Sequence, residues 1–222
     1  MNIIERAARI LEELKRTFSL PTWIESPRKP FRTLIRTVLS QATVSKNTDR
    51  AFRNLKQEFQ LTPEALAKAD LEEIQEAIKV AGLFRNKSRA IKNISQLVLE
   101  RFNGSLDFIH SLPLQEARRK LMDLPGVGPK TADVVLLFCD RRPVIPIDTH
   151  VRRVSGRLRL APAEENYQQV REALQFLYPP QDYLPVHLLL ISLGRKYCKA
   201  RRPLCGPCPV SHLCPSKRVS DQ

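Results

Sequence analysis

The chain has 222 residues, enough for one or two domains with a sizeable hydrophobic core. Hydrophobic residues make up 42%, which excludes a disordered tail or a fibrous repeat. Lys and Arg number 37 against 23 Asp and Glu, a formal charge of +14 that suits a polyanionic partner, nucleic acid foremost.

In chain order, nearly every segment carries a helical period. Asn2–Phe18 places Ile3, Ala7, Ile10, Leu11, Leu14 and Phe18 on one apolar face with charge opposite. Glu5, Arg6, Arg9, Glu12 and Glu13 interrupt this stretch, so it does not read as a secretory signal. The same period recurs in Phe31–Ser40, Thr48–Phe59 and Leu71–Val80, and the motif Thr62-Pro63-Glu64 reads as a cap with Pro at the first helical position. Lys87–Phe102, Leu114–Leu124, Thr131–Cys139, Thr149–Leu158, Tyr167–Tyr178 and Leu184–Tyr197 follow, with Asn103-Gly104 and Pro179-Pro180 as breaks. The longest apolar runs, such as Val186–Leu193, fall far short of the ~20 residues that span a bilayer, so no membrane association is expected. No strict two-residue alternation appears. The expectation is an all-α fold of two helical lobes with a cleft between them.

Three segments carry chemistry. The chain holds seven glycines, and Gly126 and Gly128 both lie in the turn Leu124-Pro125-Gly126-Val127-Gly128-Pro129 between two helices. Glycine permits positive φ and close approach, so backbone amides at a helix N-terminus can gather around a phosphate. An ordinary turn with glycine caps would also use these residues, but the pattern with Ala132, Val134 and Val135 favours a DNA-binding helix-hairpin-helix. Lys130 follows in the first helical turn, where the positive helix end favours the neutral amine. A neutral amine can attack carbon and form a Schiff base, whereas a protonated one would simply hold phosphate. Asp148 precedes the helix Thr149–Leu158 as its N-cap, and a capping role alone would account for it. Arg152, Arg153, Arg157 and Arg159 follow as a basic stripe.

Cysteine usage completes the pattern. Cys139 lies alone in an apolar run and reads as a small buried hydrophobe. Cys198, Cys205, Cys208 and Cys214, separated by six, two and five residues, form one compact loop. Four clustered thiols without a secretory signal point to a metal centre before disulfides. A single loop suits a [4Fe–4S] cluster, with a Cys3His zinc site through His212 as the alternative. Lys199, Arg201 and Arg202 make the loop basic and suit it to phosphate.

The hairpin with Lys130, the segment Ile147-Asp148-Thr149-His150-Val151 and the cysteine spacing together resemble the endonuclease III family of DNA glycosylases, over almost the whole chain. The resemblance implies a six-helix barrel over 22–142 and a second lobe of 1–21 with 143–222 that carries the cluster. It implies a partner, double-stranded DNA with a damaged base or abasic site, lying across the cleft with Lys130 and Asp148 at its mouth. Lys130 is then the nucleophile and Asp148 the catalytic carboxylate, excising an oxidised pyrimidine and nicking by β-elimination. Leu39-Ser40-Gln41-Ala42-Thr43 and Ala81-Gly82-Leu83-Phe84 also match the family, at the ends of an early and a middle helix. Gln41 and Leu83 are implied to enter the duplex beside the extruded nucleotide. One departure is Val44, where bacterial relatives often carry Asp, and it bears on substrate preference. The cysteines stand near the end of the chain, so the longer adenine-removing relatives are not expected. A glycosylase for mismatched thymine or uracil and a non-catalytic DNA-binding module are the other readings. A monomer in the cytoplasm, at the nucleoid in a prokaryote, is expected.

Overall fold

The computed structural model describes residues 1–162 and 166–217, and among these it is helical throughout, without a strand. The chain divides into two compact units, 28–140 and 1–27 with 141–222. No helix among the described residues is long and apolar enough to cross a membrane.

The unit 28–140 begins with α1 (Pro30–Ser40), whose first residue is the proline that suits that position. It continues through α2 (Ser45–Glu58), α3 (Pro63–Lys68), α4 (Leu71–Ile78), α5 (Phe84–Phe102), α6 (Phe108–Ser111), α7 (Leu114–Met122) and α8 (Pro129–Asp140). Six of these eight run to eight residues or more. Thr62 caps α3 by accepting from Ala65 N at 3.2 Å, and the Asp70 carboxylate caps α4 by accepting from Glu72 N at 2.8 Å. The helix α8 is the axis of the unit. Every residue from Thr131 to Cys139 is buried, and seven of these nine are apolar. Leu34, Ile35, Val38 and Leu39 of α1 and Ile91, Ile94 and Val98 of α5 supply much of the remaining core.

The other unit contains α9 (Ile3–Thr17), α10 (Thr149–Arg157), α11 (Tyr167–Leu177) and α12 (Tyr183–Lys196), followed by the cysteine loop. Reciprocal capping boxes start α9 at Asn2 and Glu5, and α11 at Asn166 and Gln169. The helix α12 is buried along Tyr183, Leu184, Val186, Leu189, Leu190 and Leu193, and packs against α10 and α9. Its crossing with α10 depends on Gly194. A Cβ there would fall 2.9 Å from His150 Nδ1 and 3.1 Å from Val154 Cγ2.

All ten periodic stretches are helical. The differences lie at their ends, because a polar first turn carries no apolar stripe: α2 begins at Ser45 and α5 at Phe84, each three residues before the periodicity declares itself. The four-residue α6 carried no periodic signal.

Candidate functional site

Three loops meet within the unit 28–140. The first follows α1, where Gln41 is the C-cap and Ala42 has φ +49°. The second follows a 3₁₀ turn at Lys79–Ala81 and contains Gly82 with φ +64° and Leu83 with φ +49°. Leu83 does not end the middle helix; it is the N-cap of α5, left-handed and 62% exposed. A left-handed leucine with its side chain in solvent is doubly unfavourable for folding. The third loop is the hairpin, and Gln41 Nε2 donates to the carbonyl of Gly126 at 3.0 Å.

What joins the first two loops is Lys87, which in the sequence marks only the start of an apolar helix. Its side chain is 4% exposed, and Nζ donates to Leu39 O at 2.9 Å, Ala81 O at 2.9 Å and Thr43 Oγ1 at 2.5 Å. The Thr43 hydroxyl in turn donates to Ala81 O. Burial pulls the Lys87 ammonium below its ordinary value. The available signal was spacing: Lys87 stands four residues before Ile91 on the apolar stripe, where a charge needs partners.

In the hairpin, Leu124 and Val127 are buried and anchor the turn, while Gly126 and Gly128 are exposed. Gly126 has φ +74°, and a Cβ on either glycine would meet open space. Steric room is therefore not the reason for glycine at 126; the backbone conformation is. Among the described residues the amides of Gly126 and Gly128 donate to no protein acceptor, which leaves them for an external anion. Gly128 O accepts from Ala132 N at 3.0 Å, so Lys130 is the second residue of α8, partly exposed at the positive end of the helix. Arg118 of α7 pairs with the fully buried Asp133 of α8 at 2.7 Å, bracing the two hairpin helices.

In the other unit, Asp148 caps α10 as expected, with Oδ1 accepting from Val151 N at 2.7 Å. The extended segment before it is buried from Val144 to Ile147. Its backbone is held by side chains: buried His187 donates from Nδ1 to Pro146 O at 2.8 Å, and Ile147 N donates to Tyr167 Oη at 3.3 Å. Because a carbonyl only accepts, Nδ1 carries the proton. Burial, reinforced by Arg153 and Arg195 and opposed by Asp148, pulls the His150 imidazole below 6.5.

The far end of α10 grips the cysteine loop. Arg157 donates to Lys199 O at 2.7 Å, Ala200 O at 2.9 Å and Cys198 Sγ at 3.4 Å, and Arg153 donates to Cys198 O at 2.9 Å. Lys199, Arg201 and Arg202 are exposed on this loop, and Arg202 is left-handed at φ +49°. Cys198, Cys205, Cys208 and Cys214 are free thiols that line one cavity of about 150 Å³ with Leu158, Leu193, Tyr197 and Val210. Burial pushes the Cys208 and Cys214 thiols up. Four thiols lining one cavity are a donor set that suits an iron–sulfur cluster. His212 is exposed and is not among the residues lining the cavity.

Residues 35–180 match the family model of the HhH-GPD superfamily of base excision DNA repair proteins. Endonuclease III of Sulfolobus acidocaldarius is 38% identical over 188 residues, covering 84% of this chain and 82% of that protein. The structure of a non-covalent endonuclease III–DNA complex superposes with a TM-score of 0.84 at 32% identity, over 98% of this chain and 97% of that one. A trapped endonuclease III–DNA covalent intermediate superposes with a TM-score of 0.83 at 32% identity, over 98% of each. The chain belongs to the HhH-GPD superfamily of base excision DNA repair proteins and, within it, to the endonuclease III family.

Proposed function

We propose that this chain is a DNA glycosylase with AP lyase activity, which removes oxidised pyrimidines from double-stranded DNA and nicks the strand by β-elimination. The observation that carries the reading is Lys130 in the first turn of α8, directly after two exposed glycines whose amides are open to a phosphate. The trapped covalent complex to which the chain is similar supports a covalent route.

The roles follow from chemistry. The Lys130 amine attacks C1′ of the damaged nucleotide; the new C–N bond forms as the bond to the base breaks, and the base leaves with a proton. Opening of the sugar gives a Schiff base, loss of a C2′ proton expels the 3′ phosphate, and water then frees the lysine. Asp148 takes the proton that the lysine must shed and stabilises positive charge on the sugar. Gln41 and Leu83 fill the gap left by the extruded nucleotide, which explains a leucine held exposed and left-handed. Gly126 and Gly128 hold backbone phosphate, as do the exposed Lys199, Arg201 and Arg202. Cys198, Cys205, Cys208 and Cys214 would hold a [4Fe–4S] cluster, which ties the loop together and takes no part in bond breaking. The protein acts as a monomer in the cytoplasm, at the nucleoid in a prokaryote.

Borohydride reduction on duplexes with a single oxidised pyrimidine tests the reading. The native protein should form a stable adduct, and Lys130→Gln should lose both adduct and nick. Base release without any adduct would replace the lyase assignment with the monofunctional mismatch glycosylase.

A further inference from the structure

The buried Lys87 is unexplained by packing. A methionine would continue the stripe of Ile91, Ile94 and Val98 without the cost of burying a charge, and such exchanges are often neutral or stabilising. What methionine lacks is a donor that reaches two loops at once. The ammonium bonds Leu39 O and Thr43 Oγ1, on either side of the left-handed Ala42, and Ala81 O, two residues before the left-handed Leu83. The backbone amide of Lys87 also donates to Leu83 O at 3.0 Å, so one residue holds the chain on both sides of that leucine. Both loops are exposed at their tips and contain non-glycine residues in a conformation that costs free energy, so they relax unless something fixes them.

We propose that Lys87 is a positioning residue for base extrusion, its buried ammonium locking the Gln41 and Leu83 loops at the spacing that fills the vacated stack. The proposal rests on the reading of Gln41 and Leu83 as the gap-filling pair. Lys87 touches neither DNA nor the reacting sugar. Its effect is on how readily the two tips enter the duplex together, so it grows with the cost of opening the pair.

The test is single-turnover base release from two duplexes, one with an oxidised pyrimidine opposite its proper partner and one with the same lesion in a mismatch. A 2-aminopurine beside the lesion reports unstacking. Lys87→Met should lose about tenfold or more on the stable pair and about threefold or less on the mismatch, with the fluorescence rise slowed in step. The salt slope of binding should be unchanged, because no phosphate contact is removed. Leu83→Ala is measured alongside. If Leu83→Ala discriminates between the duplexes and Lys87→Met loses equally on both, Lys87 is merely structural and the proposal fails alone. If Leu83→Ala does not discriminate, the gap-filling reading itself fails. Should Lys87→Met not fold by circular dichroism, Thr43→Val decides by removing one acceptor of the ammonium: the same discrimination supports the proposal, and its absence overturns it.

Discussion

Arg118 and Asp133 face each other at 2.7 Å across the two hairpin helices, with the carboxylate wholly excluded from solvent and the guanidinium side chain 14% exposed. A buried charge whose partner is removed is far costlier than the pair is valuable. Asp133→Ala should therefore destabilise the protein by about 3–5 kcal/mol, read as a fall in the urea midpoint. Replacing both residues together, Arg118→Met with Asp133→Leu, should restore most of the loss. Equal damage from the double change would mean that the pair itself, and not the stranded charge, sets stability.

Asp148 is both a helix cap and the proposed catalytic carboxylate, and two substitutions separate these roles. Asparagine caps as well as aspartate, so Asp148→Asn should leave the thermal midpoint nearly unchanged, whereas Asp148→Ala should cost about 1 kcal/mol. Both should slow base release by about a hundredfold or more in single-turnover assays. Activity that tracks stability across the two variants would reduce Asp148 to a cap.

Val44 stands at the N-cap of α2 with no side-chain bond to the helix, and it is 66% exposed. Val44→Asp should add the missing bond and an anion at the positive helix end, for a gain of roughly 0.5–1 kcal/mol. Thermal melts at low salt check this; the gain should shrink as salt is added.

Protein purified without oxygen should carry roughly four iron atoms per chain with matching sulfide and a broad visible absorbance. Removing the iron by chelation should loosen the loop that Arg153 and Arg157 hold, detected as faster proteolysis after Lys199 or Arg201. One zinc and no iron would return the site to a single ion.

His150 gives the fold a pH signature. Its imidazole is held below 6.5 in the folded state, chiefly by burial. Below that value the unfolded chain takes up a proton that the folded chain refuses, so stability is lost as pH falls and is fully present above it. Urea midpoints between about pH 5 and 8 should show this decline, and His150→Gln should flatten it. A decline of the same size in the variant would assign it to carboxylates.

The helices were legible because apolar stripes dictate them, and the hairpin and cysteine spacing were legible because glycine and thiol chemistry are local. Lys130 and Asp148 stand in the sequence beside the helix starts that place them. The supporting residues were not read, since their meaning lies in partners far along the chain. Lys87 reaches back to Leu39, His187 to Pro146, and Gly194 is explained only by His150 on another helix. Each nevertheless leaves a local trace as a polar or missing side chain inside an apolar run.

Asp148 sits at one end of α10 and Arg157, with its bonds to the cysteine loop, at the other. The nine residues from Thr149 to Arg157 form a rod of about 13 Å, at 1.5 Å per residue. Length in such a rod is quantised: one inserted or deleted residue turns everything beyond it by about 100°. Arg157 would then swing away from Lys199 and Ala200, and the face that meets Gly194 would turn outward. Substitutions on the solvent side of α10 are thus open to drift, while its residue count is fixed by the two things it holds apart.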